Sequence, residues 1–133
     1  MNDAERAKLE KAVIKAAKNA DHEALRQLIA ADPTLLEARD KDGCTPLHCA
    51  AWKGLPETVA LLLDLGAHIA ARNQNDHYGD TALHAAAHGN HREVVALLLE
   101  RGADRYASNP AGRTPLDETE FHKATAAARL LQA

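Results

Sequence analysis

The chain has 133 residues, 46% of them hydrophobic and 26% charged, which is the makeup of one globular domain rather than a disordered tail. Its formal charge of -3 supplies no long-range field that would gather nucleic acid or an anionic membrane surface, so neither is expected as a partner. Apolar runs such as residues 59–63 fall far short of the ~20 residues needed to span a bilayer, and two cysteines, Cys44 and Cys49, are too few for a disulfide scaffold.

In chain order, residues 1–11 are polar and charged and lack the apolar core of a secretory signal, which predicts a cytoplasmic protein with reduced thiols. Ala16 and Ala17, then Leu25, Leu28 and Ile29 at helical spacing, predict paired helices before Asp32-Pro33. From there a phrase repeats. Gly43-Cys-Thr-Pro-Leu-His-Cys-Ala-Ala51 returns as Gly79-Asp-Thr-Ala-Leu-His-Ala-Ala-Ala87, and in part as Gly112-Arg-Thr-Pro-Leu-Asp117. Its threonine recurs at Thr45, Thr81 and Thr114, separations of 36 and 33, so the unit is about 33 residues with a three-residue insertion in the 73–78 segment.

Each unit has a mechanical reading. Thr45 can cap a helix with its hydroxyl, and Pro46 suits the first helical position, where no amide partner is lost. The paired alanines allow close packing, and Gly54 or the Gly89-Asn90 pair permits a left-handed exit. A second helix follows, carrying Val94, Val95, Leu97, Leu98 and Leu99 and stopped by Gly102. A polar stretch turning at Asp42-Gly43, Tyr78-Gly79 or Ala111-Gly112 closes the unit as a hairpin. The last unit ends in an alanine-rich helix expected over residues 123–132.

The Thr-Pro-Leu-His phrase, the Leu-Leu-Leu runs and Gly102-Ala-Asp104 together resemble the ankyrin-repeat family, over nearly the whole chain. The resemblance implies an all-α repeat fold, an ankyrin solenoid of helix-turn-helix-hairpin units with N- and C-terminal capping repeats. It implies a single domain over residues 1–133, a complete array of repeats at 1–40, 41–73, 74–109 and 110–133. It also implies a protein-protein interaction module whose concave face, built from hairpin tips and first helices, holds another protein.

By that resemblance the partner-facing positions flank each hairpin glycine and follow each alanine pair. In the second repeat these are Lys41, Asp42, Cys44, Trp52 and Lys53, and in the third His77, Tyr78, Asp80, His88 and Gly89. The fourth supplies Pro110, Ala111, Arg113, Phe121 and His122, and the first Lys18 and Asn19. Three of the four aromatic residues fall in this set, and aromatic and Arg anchors dominate protein interfaces. The plainer alternative is that Trp52 and Phe121 pack along the stack without contacting a partner.

Chemistry is not expected. His48 and His84 belong to the repeated phrase, where the family uses the ring to hold neighbouring backbone, and Cys44, His48 and Cys49 lack the paired spacing of zinc modules. No strand-elbow nucleophile or glycine-rich phosphate loop occurs, so neither an enzyme nor a cofactor is expected. Two further readings stay open: binding that changes between pH 5 and 8 through His77, His88 and His122, and an assembly role through self-association or end contacts. The free chain is expected to be a monomer.

Overall fold

The computed structural model describes residues 2–73, 79–121 and 125–132, the side chains of Glu120, Phe121 and Thr125 excepted. The first helix, α1 (Asp3–Lys18), starts where the Asn2 side chain accepts from the Glu5 amide at 2.8 Å. Asp3 and Glu5 in its first turn and Lys15 and Lys18 in its last suit the helix dipole. Val13, Ile14, Ala16 and Ala17 form its buried face. Asp21 caps α2 (His22–Ala31), which buries Leu25 and Ile29, and a 3-10 turn (Pro33–Glu37) follows at Asp32-Pro33. Arg6 closes this first unit by reaching back to Asp32 and Thr34.

The repeated phrase folds as α3 (Pro46–Lys53) and α5 (Ala82–His88), each opened by a reciprocal cap. Thr45 Oγ1 accepts from the His48 amide at 3.3 Å, and His48 Nδ1 accepts from the Thr45 amide at 3.3 Å, so two orphan donors of the helix start are satisfied at once. The ring then reaches forward: His48 Nε2 donates to the Asp80 carbonyl at 2.8 Å, in the next unit's turn. A carbonyl only accepts, so the proton sits on Nε2 and leaves Nδ1 free to accept. Thr81 and His84 repeat the arrangement, with His84 Nε2 donating to the Arg113 carbonyl at 2.9 Å. In α7 (Pro115–Phe121), Asp117 closes the same box with Thr114, and as a carboxylate it has no donor to send onward.

The second helices, α4 (Pro56–Asp64) and α6 (Arg92–Glu100), bury Thr58, Val59 and Leu62, and Val94, Val95 and Leu98. Gly54 (φ 72) and Asn90 (φ 56) supply the left-handed turn between helices, so in the third unit it is the asparagine of Gly89-Asn90 that takes it. The His91 ring fills the space above both glycines: a Cβ on Gly54 or Gly89 would lie 2.3 or 2.5 Å from it. His91 also donates from Nε2 to the Trp52 carbonyl at 2.8 Å, tying the third unit to the second. The last helix, α8 (Thr125–Gln132), receives a cap from Asn90, whose side chain accepts from the Ala127 amide at 3.0 Å.

First helices α1, α3, α5 and α7 lie side by side in that order, and α4, α6 and α8 stack behind. Ala50, Ala51, Ala86 and Ala87 are fully buried where the first helices meet, and Leu25, Leu47, Leu62, Leu83 and Leu98 fill the layer between the rows. Nothing larger than a methyl fits at the alanine positions without pushing helices apart.

The hairpin turns carry a second, less obvious repeat. Asp40 Oδ1 accepts from the Asp42 and Cys44 amides, Asn109 Oδ1 from those of Ala111 and Arg113, and Asn73 Oδ1 from that of Asp80. Beside them, Arg39 donates to the Gly43 carbonyl of its own turn and the Arg72 carbonyl of the next, each at 2.7 Å. Arg72 does the same to Gly79 and Ser108. Two guanidiniums thus staple three successive turns, each through a single Nη1 that donates to both carbonyls. No β-strand forms among the described residues; Asp40 donates to the Cys44 carbonyl and accepts from the Gly43 amide, and Asn109 does the same with Arg113 and Gly112.

Candidate partner-binding groove

A groove of about 850 Å³ runs across the first helices and turns of all four units. It collects most of the positions expected to face a partner: Lys18 at one end, Asp42, Cys44, Trp52 and Lys53 from the second unit, Asp80 and His88 from the third, Ala111 and Arg113 from the fourth. Lys41, Asn19, Gly89 and Pro110 are exposed outside its lining. His77, Tyr78 and His122 lie outside the described residues, and Phe121 is placed only as the last residue of α7.

Trp52 is the groove's main apolar surface, 54% exposed. One face of its indole stacks on the His88 imidazole, ring centres 4.6 Å apart and planes 24° from parallel. The indole therefore does contact the adjacent repeat, yet keeps half of its area open. Two turns bring these rings together, because Trp52 and His88 stand two residues before the left-handed residues Gly54 and Asn90. Lys18 occupies the same place before Ala20 (φ 55), so one structural position yields a row of three side chains on three neighbouring helices.

Toward the fourth unit the groove becomes a closed ionic network. Glu118, buried on α7, pairs with Arg113 at 3.2 Å and lies 3.8 Å from His88 Nδ1. The Asn109 amide donates to Asp80 Oδ1 at 2.9 Å and reaches Glu118 Oε1 at 3.5 Å. Sequence reasoning missed Glu118, although it left a signal: it stands where Cys49 and Ala85 stand in the earlier copies, four residues after the capping threonine. Asp40, Asn73 and Asn109 were missed as well, since a turn residue two or more places from its glycine carries no mark of the amides it will accept.

The groove's floor is chemically quiet. Burial, with Asp40 nearby, pushes the Cys44 thiol up to about 11 and the Cys49 thiol up to about 12, so both are protonated at neutral pH. Burial pushes the His48 pKa below its ordinary value, keeping a ring whose two nitrogens are already engaged. Among the described residues no three His, Cys, Asp or Glu side chains converge as metal ligands, and no helix is long and apolar enough to cross a membrane.

Fold and groove define a helical repeat protein with an open, partly apolar groove across its first helices. Family models described as "Ankyrin repeats (3 copies)" and "Ankyrin repeat" match residues 2–73 and 78–110, and the chain belongs to the ankyrin-repeat family. Such repeats are generally protein-protein interaction modules, typically without enzymatic activity. The chain is also similar to the serine/threonine-protein kinase VIK of Arabidopsis thaliana, 44% identical over 54 residues, which is 41% of this chain and 12% of that protein. It thus spans about an eighth of that relative.

Proposed function

We propose that this chain is a binding module that holds one protein partner in the groove and acts by occupying or positioning it, without catalysing a reaction. The observation that carries this reading is Trp52: the repeat does not need its indole for a core, yet it stands half exposed at the centre of the groove. Lys18, Asp42, Lys53, Asp80, His88 and Arg113 surround it as the polar rim.

A nucleophile needs a thiolate or an unoccupied base beside it, whereas the thiols here stay protonated and the buried imidazoles are committed to backbone. The likeness to a kinase is too short to carry that protein's activity across. We take the helix pairs to support one domain of four repeats at 1–40, 41–73, 74–109 and 110–133. In this reading the free chain is monomeric and cytoplasmic, where its two free cysteines stay reduced.

The test is capture from a lysate of the source cell on immobilised wild type, Trp52→Ala and Tyr106→Ala, each shown folded by circular dichroism. Tyr106 is 77% exposed and lies outside the groove lining, so it controls for general loss of surface aromatic area. The reading expects one protein retained by wild type and Tyr106→Ala and lost by Trp52→Ala. An equal catch on all three would remove the groove as the binding face.

A further inference from the structure

We infer that Trp52 is held by a protonation-dependent clamp: a proton taken up by His88 places a cation between the indole face and the Glu118 carboxylate, fixing the groove's central ring. The clamp is a property of the chain by itself and stands whether or not a partner fills the groove.

His88 meets a different neighbour on each side. Its ring lies against the Trp52 indole, centres 4.6 Å apart and planes 24° from parallel, a distance at which an aromatic face also attracts a cation. Its Nδ1 is 3.8 Å from Glu118 Oε2, too long for a hydrogen bond but close enough for a charge to be felt. Both contacts therefore strengthen when the imidazole becomes an imidazolium. The His88 side chain is 35% exposed, so a proton can reach it, whereas Glu118 at 11% is shielded from water. The three residues stand on α3, α5 and α7, so one proton ties three successive units.

The other described imidazoles near the indole are committed elsewhere. His48 and His84 accept on Nδ1 and donate from Nε2 to the next turn. His91, at the start of α6, donates to the Trp52 carbonyl. The charges around His88 are balanced among the described residues. Glu118 from α7 and Asp80 from the third unit's turn favour the proton, while Arg113 from the fourth unit's turn and Lys53 from α3 oppose it. With two of each sign, the change of charge falls between pH 5 and 8, where an imidazole ordinarily titrates. Above that range the indole rests on a neutral ring; below it the ring is anchored, and the centre of the groove carries one more positive charge.

Trp52 is the chain's single tryptophan, so its emission reads the clamp in the intact protein. A stacked imidazolium accepts charge from the excited indole, and wild-type emission should fall in one single-proton transition from pH 8 to 5. His88→Gln should abolish that transition. Glu118→Gln, shown folded by circular dichroism, should keep it and lower its midpoint by about 0.5–1 unit, since Arg113 already shares the carboxylate. Where Glu118→Gln does not fold, Glu118→Asp keeps a charge for Arg113 but withdraws it from His88, and should move the midpoint the same way. Flat wild-type emission, or the same transition in His88→Gln, overturns the clamp, the second outcome assigning the proton to His91. A midpoint unmoved by the Glu118 substitution removes the second jaw and overturns it as well.

Discussion

Helices α3 and α5 do different work at their two ends. At the start, Thr45-His48 and Thr81-His84 are the same pair, buried, with matching distances and the same forward reach to the next turn. At the finish, Trp52-Lys53 and His88-Gly89 share only their backbone position, and those side chains meet solvent or the groove. What recurs builds the stack, because each unit must offer its neighbour the same donors and the same small surface. What varies has no part in the repeated caps or the alanine seam, and in the proposed reading it is what meets a partner.

The comparison breaks most visibly at the buried end. His48→Ala removes a ring that satisfies three groups and fills a site 2% exposed, so it should cost about 3 kcal/mol, the sum of a cavity and an unpaired buried Thr45 amide. Urea unfolding followed by circular dichroism measures it, and a loss within error of zero would mean the forward hydrogen bond is dispensable. Gly54→Ala forces an L side chain to φ 72 and into the His91 ring, for about 2 kcal/mol by the same assay. Since the clash is with a side chain, Gly54→Ala/His91→Ala should recover part of that loss, and no recovery would place the whole cost in the backbone.

Arg39→Ala should cost about 1 kcal/mol, because its two backbone acceptors are partly solvated and water can replace the guanidinium. Arg39→Lys keeps several hydrogens on one nitrogen, as the Nη1 of Arg39 does, and should recover part of the loss; no recovery would mean that the staple needs the planar guanidinium. The pH dependence is gentler. His48 has a folded pKa below its ordinary 6.5, so the unfolded chain protonates first and stability declines as pH falls below about 6.5. Cys44 and Cys49 shift the other way: stability is whole below the ordinary thiol value of 9.0 and is lost as pH rises toward 11 and 12. A urea midpoint flat from pH 5 to 7 in wild type would contradict the first, and rapid alkylation of the folded protein at pH 7 the second.

The repeated phrase made the scaffold legible. Thr-Pro at a helix start, paired alanines and a Leu-Leu-Leu run each have one mechanical use, so helix order and caps followed from residues alone, while the roles of His48 and His84 came from the resemblance to the ankyrin family. The groove was legible in part: the positions around Trp52, Lys53, His88 and Arg113 could be placed because the backbone pattern says which side chains are left over. The Arg39–Arg72 staple and the Asp40, Asn73 and Asn109 turns were not, since each depends on a carbonyl or amide about one repeat or a few residues away that carries no sequence mark. Glu118 was hidden for a related reason: its meaning comes from Arg113 and His88, which only the stacking of three units brings beside it.

The central claim is that one helix carries a structural end and a separable recognition end. The most direct measurement is Trp52→Ala, with its urea midpoint and its affinity for the protein that wild type captures taken on the same sample. Loss of an exposed ring stacked on one imidazole should cost stability only about 0.5–1 kcal/mol. Affinity should fall by about ten-fold or more, as at an interface anchor. A protein that binds as before, or one whose cooperative unfolding is lost along with binding, would contradict the account.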